Sequence, residues 1–226
     1  MDMNASFNRL FQRYCPDVPI VYDRYHMQAQ FGRDVMGAVR LAEAQKHRQE
    51  AEALKKYTKE TNNPELQNMA KEKSRKERNQ YTQLKKSRWI LLKKDDHLNE
   101  KHKIHLLDIL NKHRDLAICY AMKQEMTRLF TLTDYEEALA GWTKWIQAGL
   151  ARGIPALVKF ARQKQKRIKG LAAHALYPIN TGKLEGFNNK IKVLKRIGYG
   201  YRNMDYFFAL IRFHSLPKNY SSPKFP

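Results

Sequence analysis

Apolar side chains recur along most of this chain at helical spacing, and the interruptions mark where helices stop. Phe7, Leu10, Phe11 and Tyr14 fall at i, i+3, i+4 and i+7, one face of a short helix that Pro16 and Pro19 end. Val18 to Tyr22 follows as a β-prone run of branched and aromatic residues, closing at Asp23-Arg24-Tyr25-His26. With Met1 to Met3 ahead of the helix, the opening reads as the tail of one strand, a helix and a second, parallel strand. A parallel sheet buries both faces and does not stand on one full strand, so the pattern predicts a domain entered halfway.

From residue 27 to 170 the pattern is helical and heavily charged. Residues 40–60 and 65–88 are rich in Ala, Glu, Lys, Gln and Arg, and Thr61-Asn62-Asn63-Pro64 breaks between them, with Pro suited to a first helical position. Trp89-Ile90-Leu91-Leu92 is a dense apolar knot, and Leu106, Leu107, Leu110, Leu116, Ile118, Tyr120 and Met122 predict buried helices over 100–131. Thr133-Asp134-Tyr135-Glu136 resembles a capping box opening the next helix, whose stripe is Trp142, Trp145, Ile146 and Leu150. Gly153-Ile154-Pro155 separates it from the following one. A helix from about Gly182 carries Leu184, Phe187, Ile191 and Leu194 on its apolar face and ends at Gly198-Tyr199-Gly200-Tyr201. Met204 to Phe213 reads as a last apolar helix, and the Ser- and Pro-rich end as a loose tail.

Charge then narrows the class. Lys and Arg number 43 against 22 Asp and Glu, a formal net charge of +21, which points to a polyanionic partner, nucleic acid first. A hydrophobic content of 42% is enough to build a core, and the basic excess is too large for solubility alone. Cys15 and Cys119 lie far apart without a C-x-x-C, so neither a disulfide framework nor a zinc ribbon is supported, and the chain reads as reduced and intracellular. No run approaches the roughly 18–20 apolar residues of a membrane span, and the start lacks the features of a signal peptide.

Residues 159–202 hold twelve Lys or Arg and one acid, Glu185. On the helix from Gly182, Glu185, Asn188 or Asn189, Lys192 and Arg196 succeed one another beside the apolar face. Glu185 is either a solvated acid among lysines or a ligand for Mg²⁺, which takes one or two carboxylates, with the cations serving a phosphodiester. Asp23 is placed to cap the next helix, and His26 to stack in a core. Trp142 and Trp145 read as core, and His97, His102 and His105 as a surface helix face and not a metal site.

Together three segments carry a resemblance: Met1-Asp2-Met3-Asn4-Ala5-Ser6-Phe7, then Val21-Tyr22-Asp23-Arg24-Tyr25-His26, then Asn180-Thr181-Gly182-Lys183-Leu184-Glu185-Gly186-Phe187-Asn188-Asn189-Lys190-Ile191-Lys192. Arg88 to Lys93 and Lys195 to Asn203 extend it over nearly the whole chain. The sequence resembles the ISL-three family of DDE transposases of bacterial insertion sequences. The resemblance implies a mainly α chain with a small α/β remnant: a partial ribonuclease-H-like core, strand-helix-strand plus C-terminal helices, interrupted by a large all-helical insertion. Residues 1–26 and 171–216 would be core, 27–170 the insertion and 217–226 the tail.

By the same resemblance Asp2 and Glu185 are catalytic acids and metal ligands, the second and third of three. Asp23 and His26 correspond to the D-x-x-H signature beside the site and, with Asn188 and Asn189, are its supporting residues. Lys183, Lys190, Lys192, Lys195, Arg196 and Arg202 would grip DNA phosphates. Mg²⁺ or Mn²⁺ is the implied cofactor. Insertion-sequence ends and target DNA are the implied partners, with a homo-oligomer for the intact enzyme and a cytoplasmic, nucleoid-associated location. The first aspartate of such a site would lie on a strand ahead of Met1, so the expectation is an N-terminally truncated transposase, inactive alone. Two other readings stay open: a non-catalytic basic helical protein binding DNA or RNA through residues 159–202, and a helical interaction protein with a coiled coil over 33–88.

Overall fold

A computed structural model of the chain describes residues 5–93, 95–178 and 182–215. They fall into two compact units, Met1–Pro178 and Ile179–Pro226. The first holds α1 (Ala5–Tyr14), α2 (Arg24–Phe31), a π-helical turn (Gly32–Gly37), α3 (Ala38–Glu60), α4 (Pro64–Lys86), α5 (Arg88–Leu92), a 3-10 turn (Asp95–His97), α6 (Glu100–Lys112), α7 (Arg114–Leu129), α8 (Tyr135–Ala151), α9 (Pro155–Gln165) and α10 (Ile168–Ala172). The second holds α11 (Gly182–Ile197) and α12 (Met204–Ser215).

Helix starts follow from short polar side chains that satisfy the first orphan amides. The Asn63 side chain accepts from the N–H groups of Glu65 and Leu66 at 2.9 and 3.3 Å, with Pro64 as the first helical residue. Asn99 accepts from His102 N–H at 2.9 Å and Asp134 from Glu137 N–H at 2.7 Å. The capping box expected from Thr133 is therefore displaced by one residue, because Asp134 takes the extended backbone that a cap requires.

The helices α3 and α4 form an antiparallel hairpin. Ser74 Oγ donates to the Ala51 carbonyl at 2.9 Å, and the Arg40 guanidinium donates to the carbonyls of Leu84 and Lys85 at 2.9 and 2.8 Å, closing the end of α4. Buried Ala44, Ala51, Ala70 and Ser74 let the two backbones approach closely. The face that a coiled coil with a partner would use is thus occupied within the chain.

The core of the first unit is built of rings. Phe31 meets Trp145 and Phe160 at centroid distances of 6.0 and 5.2 Å, and Trp142 meets Trp145 and Phe130 at 5.7 and 5.1 Å, all edge to face. The Trp145 indole N–H donates to the Met122 carbonyl at 2.8 Å. Core packing is therefore the role of both tryptophans, as their spacing predicts. Gly149 lets α8 lie against α9, since a Cβ there would sit 3.2 Å from that of Ala161.

The expected strand over Val18 to Tyr22 does not form, and among the described residues there is no strand at all. Residues 18–23 run in a non-helical conformation across α10, where the Tyr22 N–H donates to the Gly170 carbonyl at 3.2 Å. A β-prone segment becomes a strand only beside another strand, and here its neighbour is a helix. The expected Met1 to Met3 strand lies outside the described residues. The mainly α expectation stands, while the strand-helix-strand unit is not what these residues form.

Two substitutions test this packing. Trp145→Ala should cost about 3–5 kcal/mol in denaturant unfolding. At Gly170 an added Cβ would lie 2.6 Å from a Tyr22 ring carbon and 2.9 Å from the Ile20 carbonyl oxygen. Gly170→Ala should therefore destabilise by about 1–3 kcal/mol and speed amide exchange at Tyr22. An unchanged midpoint and unchanged exchange would show that the segment is not docked there.

Candidate nucleic-acid interface

The interface starts from how α11 divides its faces. Phe187, Ile191 and Leu194 are half-buried, whereas Asn188, Asn189, Lys190, Lys192, Lys195 and Arg196 are exposed. The helix stops because the chain turns left-handed at Tyr199, φ 47°, and Gly200, φ 100°, with the Gly200 N–H returning to the Lys195 carbonyl at 3.3 Å. The Tyr201 hydroxyl then donates to the Leu194 carbonyl at 3.2 Å, and its ring stacks on Phe207 at 4.7 Å. Gly198 is required for this closure, since a Cβ there would stand 2.4 Å from the Tyr201 ring. Arg202 follows, exposed.

Five of the six expected DNA-contacting cations, Lys190, Lys192, Lys195, Arg196 and Arg202, thus lie on the surface of the second unit. The sixth, Lys183, and the acid Glu185 belong to the α11 backbone, but their side chains lie outside what is described, as does all of Asp2. Asp23 is buried in the first unit, where its carboxylate accepts from the His26 N–H at 2.9 Å and caps α2. His26 is exposed, its ring edge-on to Tyr25 at 5.9 Å.

Among the described residues no group of three or more His, Cys, Asp or Glu side chains converges as a metal site would. His97 is exposed, and His102 is half-buried with its ring 4.4 Å from that of Trp89. The described side chains therefore do not by themselves make the two-metal centre that the resemblance implies. The thiol of Cys119 is buried and pushed up to about 12 by desolvation, so it is no nucleophile.

One cation of the basic stretch is not on the surface. Lys164 is fully buried, donating to Gln30 Oε1 at 2.6 Å, with its ammonium 4.5 Å from the Phe160 ring centroid. Burial first, and then the nearby Arg167 charge, push its pKa down to about 8, with Asp34 pulling the other way. The sequence does carry a signal for this: Leu157, Phe160, Ala161 and Lys164 fall at i, i+3, i+4 and i+7 and are all buried. The sequence offers no such signal for a basic trough in the first unit, whose Arg24, Arg88 and Lys123 come from three distant segments.

Over residues 1–211 the chain matches the family described as Transposase, the DDE enzymes of the ISL3 type. It is 31% identical over 212 residues to the transposase for insertion sequence element IS1001 of Bordetella parapertussis, covering 94% of this chain and 46% of that protein. It is 28% identical over 129 residues to the transposase for insertion sequence element IS1557 of Mycobacterium tuberculosis, covering 56% of this chain and 28% of that one. No solved structure matches the chain. The chain belongs to the ISL-three family of DDE transposases. It spans about half the length of the IS1001 relative or less of the others. Among the described residues no helix is long and apolar enough to cross a membrane.

Two histidines set a pH dependence. Burial lowers the pKa of His113, helped by His47 and Lys112 and opposed by Glu43, whose carboxylate is 3.4 Å from Nδ1. Burial also lowers that of His174, helped by Arg24 and opposed by Asp23. A lowered folded-state pKa means that the unfolded chain binds more protons in acid, so stability is full above about pH 6.5 and falls below it. The melting temperature should drop from pH 7 to pH 5, and His113→Gln should flatten that slope. An unchanged slope in the variant would remove His113 from the titration.

Proposed function

We propose that this chain is the C-terminal catalytic-domain portion of a DNA transposase that cleaves strands at the ends of an insertion sequence and joins them to target DNA. The observation that supports it is the family match over residues 1–211, which takes in both Asp2 and the Glu185-Gly-Phe-Asn-Asn-Lys-Ile-Lys block. On this reading residues 1–26 and 171–216 belong to a ribonuclease-H-like core, and residues 27–170 are its helical insertion. Asp2 and Glu185 are two of the acids, with Asp23, His26, Asn188 and Asn189 as their supporting neighbours.

The chain's own described part in the reaction is binding. Lys190, Lys192, Lys195, Arg196 and Arg202 offer exposed charge to phosphates, which holds the backbone in place and supplies affinity without base specificity. Lys183 joins them on the sequence pattern alone. Mg²⁺, when bound, would supply positive charge to the attacking and leaving oxygens of an in-line displacement. With two of three acids, the 226-residue chain assayed by itself is incomplete for cleavage. A homo-oligomer is the form expected of the complete enzyme.

A non-catalytic basic protein that binds DNA or RNA is the second reading, favoured by that same surface charge. The two separate in one experiment. When the chain is supplied with a strand bearing the first aspartate, Mg²⁺-dependent nicking of insertion-sequence ends should appear. Glu185→Gln should then reduce it by more than the roughly 10–100-fold typical of losing an outer-shell partner of a metal ligand. Retained nicking would remove Glu185 from the site. Nicking by the unsupplemented chain would show that two acids suffice, and binding indifferent to Mg²⁺ without any nicking would favour the second reading.

A further inference from the structure

We propose that the helical unit carries a grip on the DNA backbone in addition to the cations of α11: a basic trough bounded by α2, the π-helical turn, α5 and α7. This rests on the transposase reading for the identity of the polyanion, while the site follows from the trough itself.

The trough has a volume of about 730 Å³ and opens to solvent. Arg24 comes from the start of α2, Arg33 from the π-helical turn, Arg88 from α5 and Lys123 from α7, and among the described residues the one acid on its walls is Asp96. Local sequence does not bring these cations together. They lie in segments up to 99 positions apart in the chain, as the bond from Gln28 on one wall to Thr127 on the other, 3.2 Å, makes plain. The walls are fixed. Lys123 Nζ donates to the carbonyls of Leu91 and Lys93 at 2.8 and 3.1 Å, so it closes the end of α5 while standing at the rim. Gly32 lets the π-helical turn sit against α5, because a Cβ there would be 2.9 Å from Leu92 Cδ2.

The arginines at this place carry little compensation among the described residues. Among the described residues neither Arg24 nor Arg88 has an acidic partner, and Arg33 has only its exposed neighbour Asp34, at 2.8 Å. The surplus acts inward as well: burial is the larger cause in both cases, and after it Arg88 lowers the pKa of Arg40 and Arg24 that of His174. Such mutual repulsion is relieved by a polyanion. The rest of the lining mixes polar Gln28, Gln124 and Thr127 with the apolar surface of Tyr25, Ala29 and Leu92. A phosphodiester backbone asks for several cations with hydrogen-bond donors beside them, which Arg24, Arg33, Arg88 and Lys123 supply with Gln28 and Gln124.

The test is binding of the 226-residue chain to a random-sequence duplex of about 20 base pairs across about 50–200 mM salt. Arg24→Gln with Arg88→Gln should weaken binding by about 10- to 50-fold near 0.1 M salt and flatten the slope of log K against log salt by about 1.8, two phosphate contacts' worth. Asp96→Asn should tighten binding by about 2- to 5-fold at low salt, a gain that misfolding cannot mimic. If these variants bind as the unmodified chain does while Lys192→Gln with Arg196→Gln loses affinity, the trough is not a DNA site and the transposase reading stands. If the unmodified chain binds no duplex, the reading on which the trough's partner rests falls with it.

Discussion

Trp145 holds its indole N–H 2.8 Å from the Met122 carbonyl while its ring meets Phe31, Trp142 and Phe160 edge to face. Those contacts tie the end of α2, the middle of α7, and α8 and α9 into one arrangement. Helices without a sheet need some such centre, because each offers only one apolar stripe and the stripes must converge. Large rings reach across the gaps that aliphatic side chains would leave, and their edge-to-face geometry restricts the angles between helices. Gly149 then sets how closely α8 approaches α9, and Phe31 delivers the chain into the π-helical turn at a fixed place.

A chain with a net charge of +21 must place most of its cations in water, and burying any of them costs unless each finds hydrogen-bond partners. Among the described residues Arg40 and Lys164 are the Arg and Lys side chains taken inside, and each is placed by a helix whose apolar stripe it interrupts. Arg40 meets the carbonyls at the end of α4, groups that would otherwise lack donors. Lys164 meets Gln30 and the face of Phe160, and its lowered pKa is the trace of that burial. These two serve the fold. The cations left outside are the ones with something to offer a polyanion.

Helix positions, breaks and the tryptophan core were legible because helical periodicity and capping chemistry are local. Asn63-Pro64, Gly153-Ile154-Pro155 and the stripe through Trp142 and Trp145 carry their meaning within a few residues. The segment over Val18 to Tyr22 misled for the converse reason. Branched and aromatic side chains favour a pleated, half-buried surface, but what lies alongside is decided by Gly170, some 150 positions away. Lys164 sat in plain view on a buried stripe and was obscured by the cations around it. The family was legible from short blocks of fixed order, and the exposed cations of α11 from helical spacing. The trough was not legible, because no window of sequence contains Arg24, Arg88 and Lys123 together.

Asp23 shows how one residue can satisfy a structural reading without displacing a functional one. Its carboxylate caps α2, a role that Asn or Ser fills about as well. A cap alone therefore does not require an acid at this position. Two neighbours give the charge a further consequence: it opposes the lowering of the His174 pKa, while Arg24, the next residue, acts in the opposite sense and also lines the trough. The start of α2 thus joins a satisfied helix end, a buried histidine's charge balance and a cation on an anion-ready surface. A substitution that kept the cap but removed the charge, Asp23→Asn, would leave Arg24 as the dominant field at His174. It would separate what this residue does for the fold from what its charge does for the surface beside it.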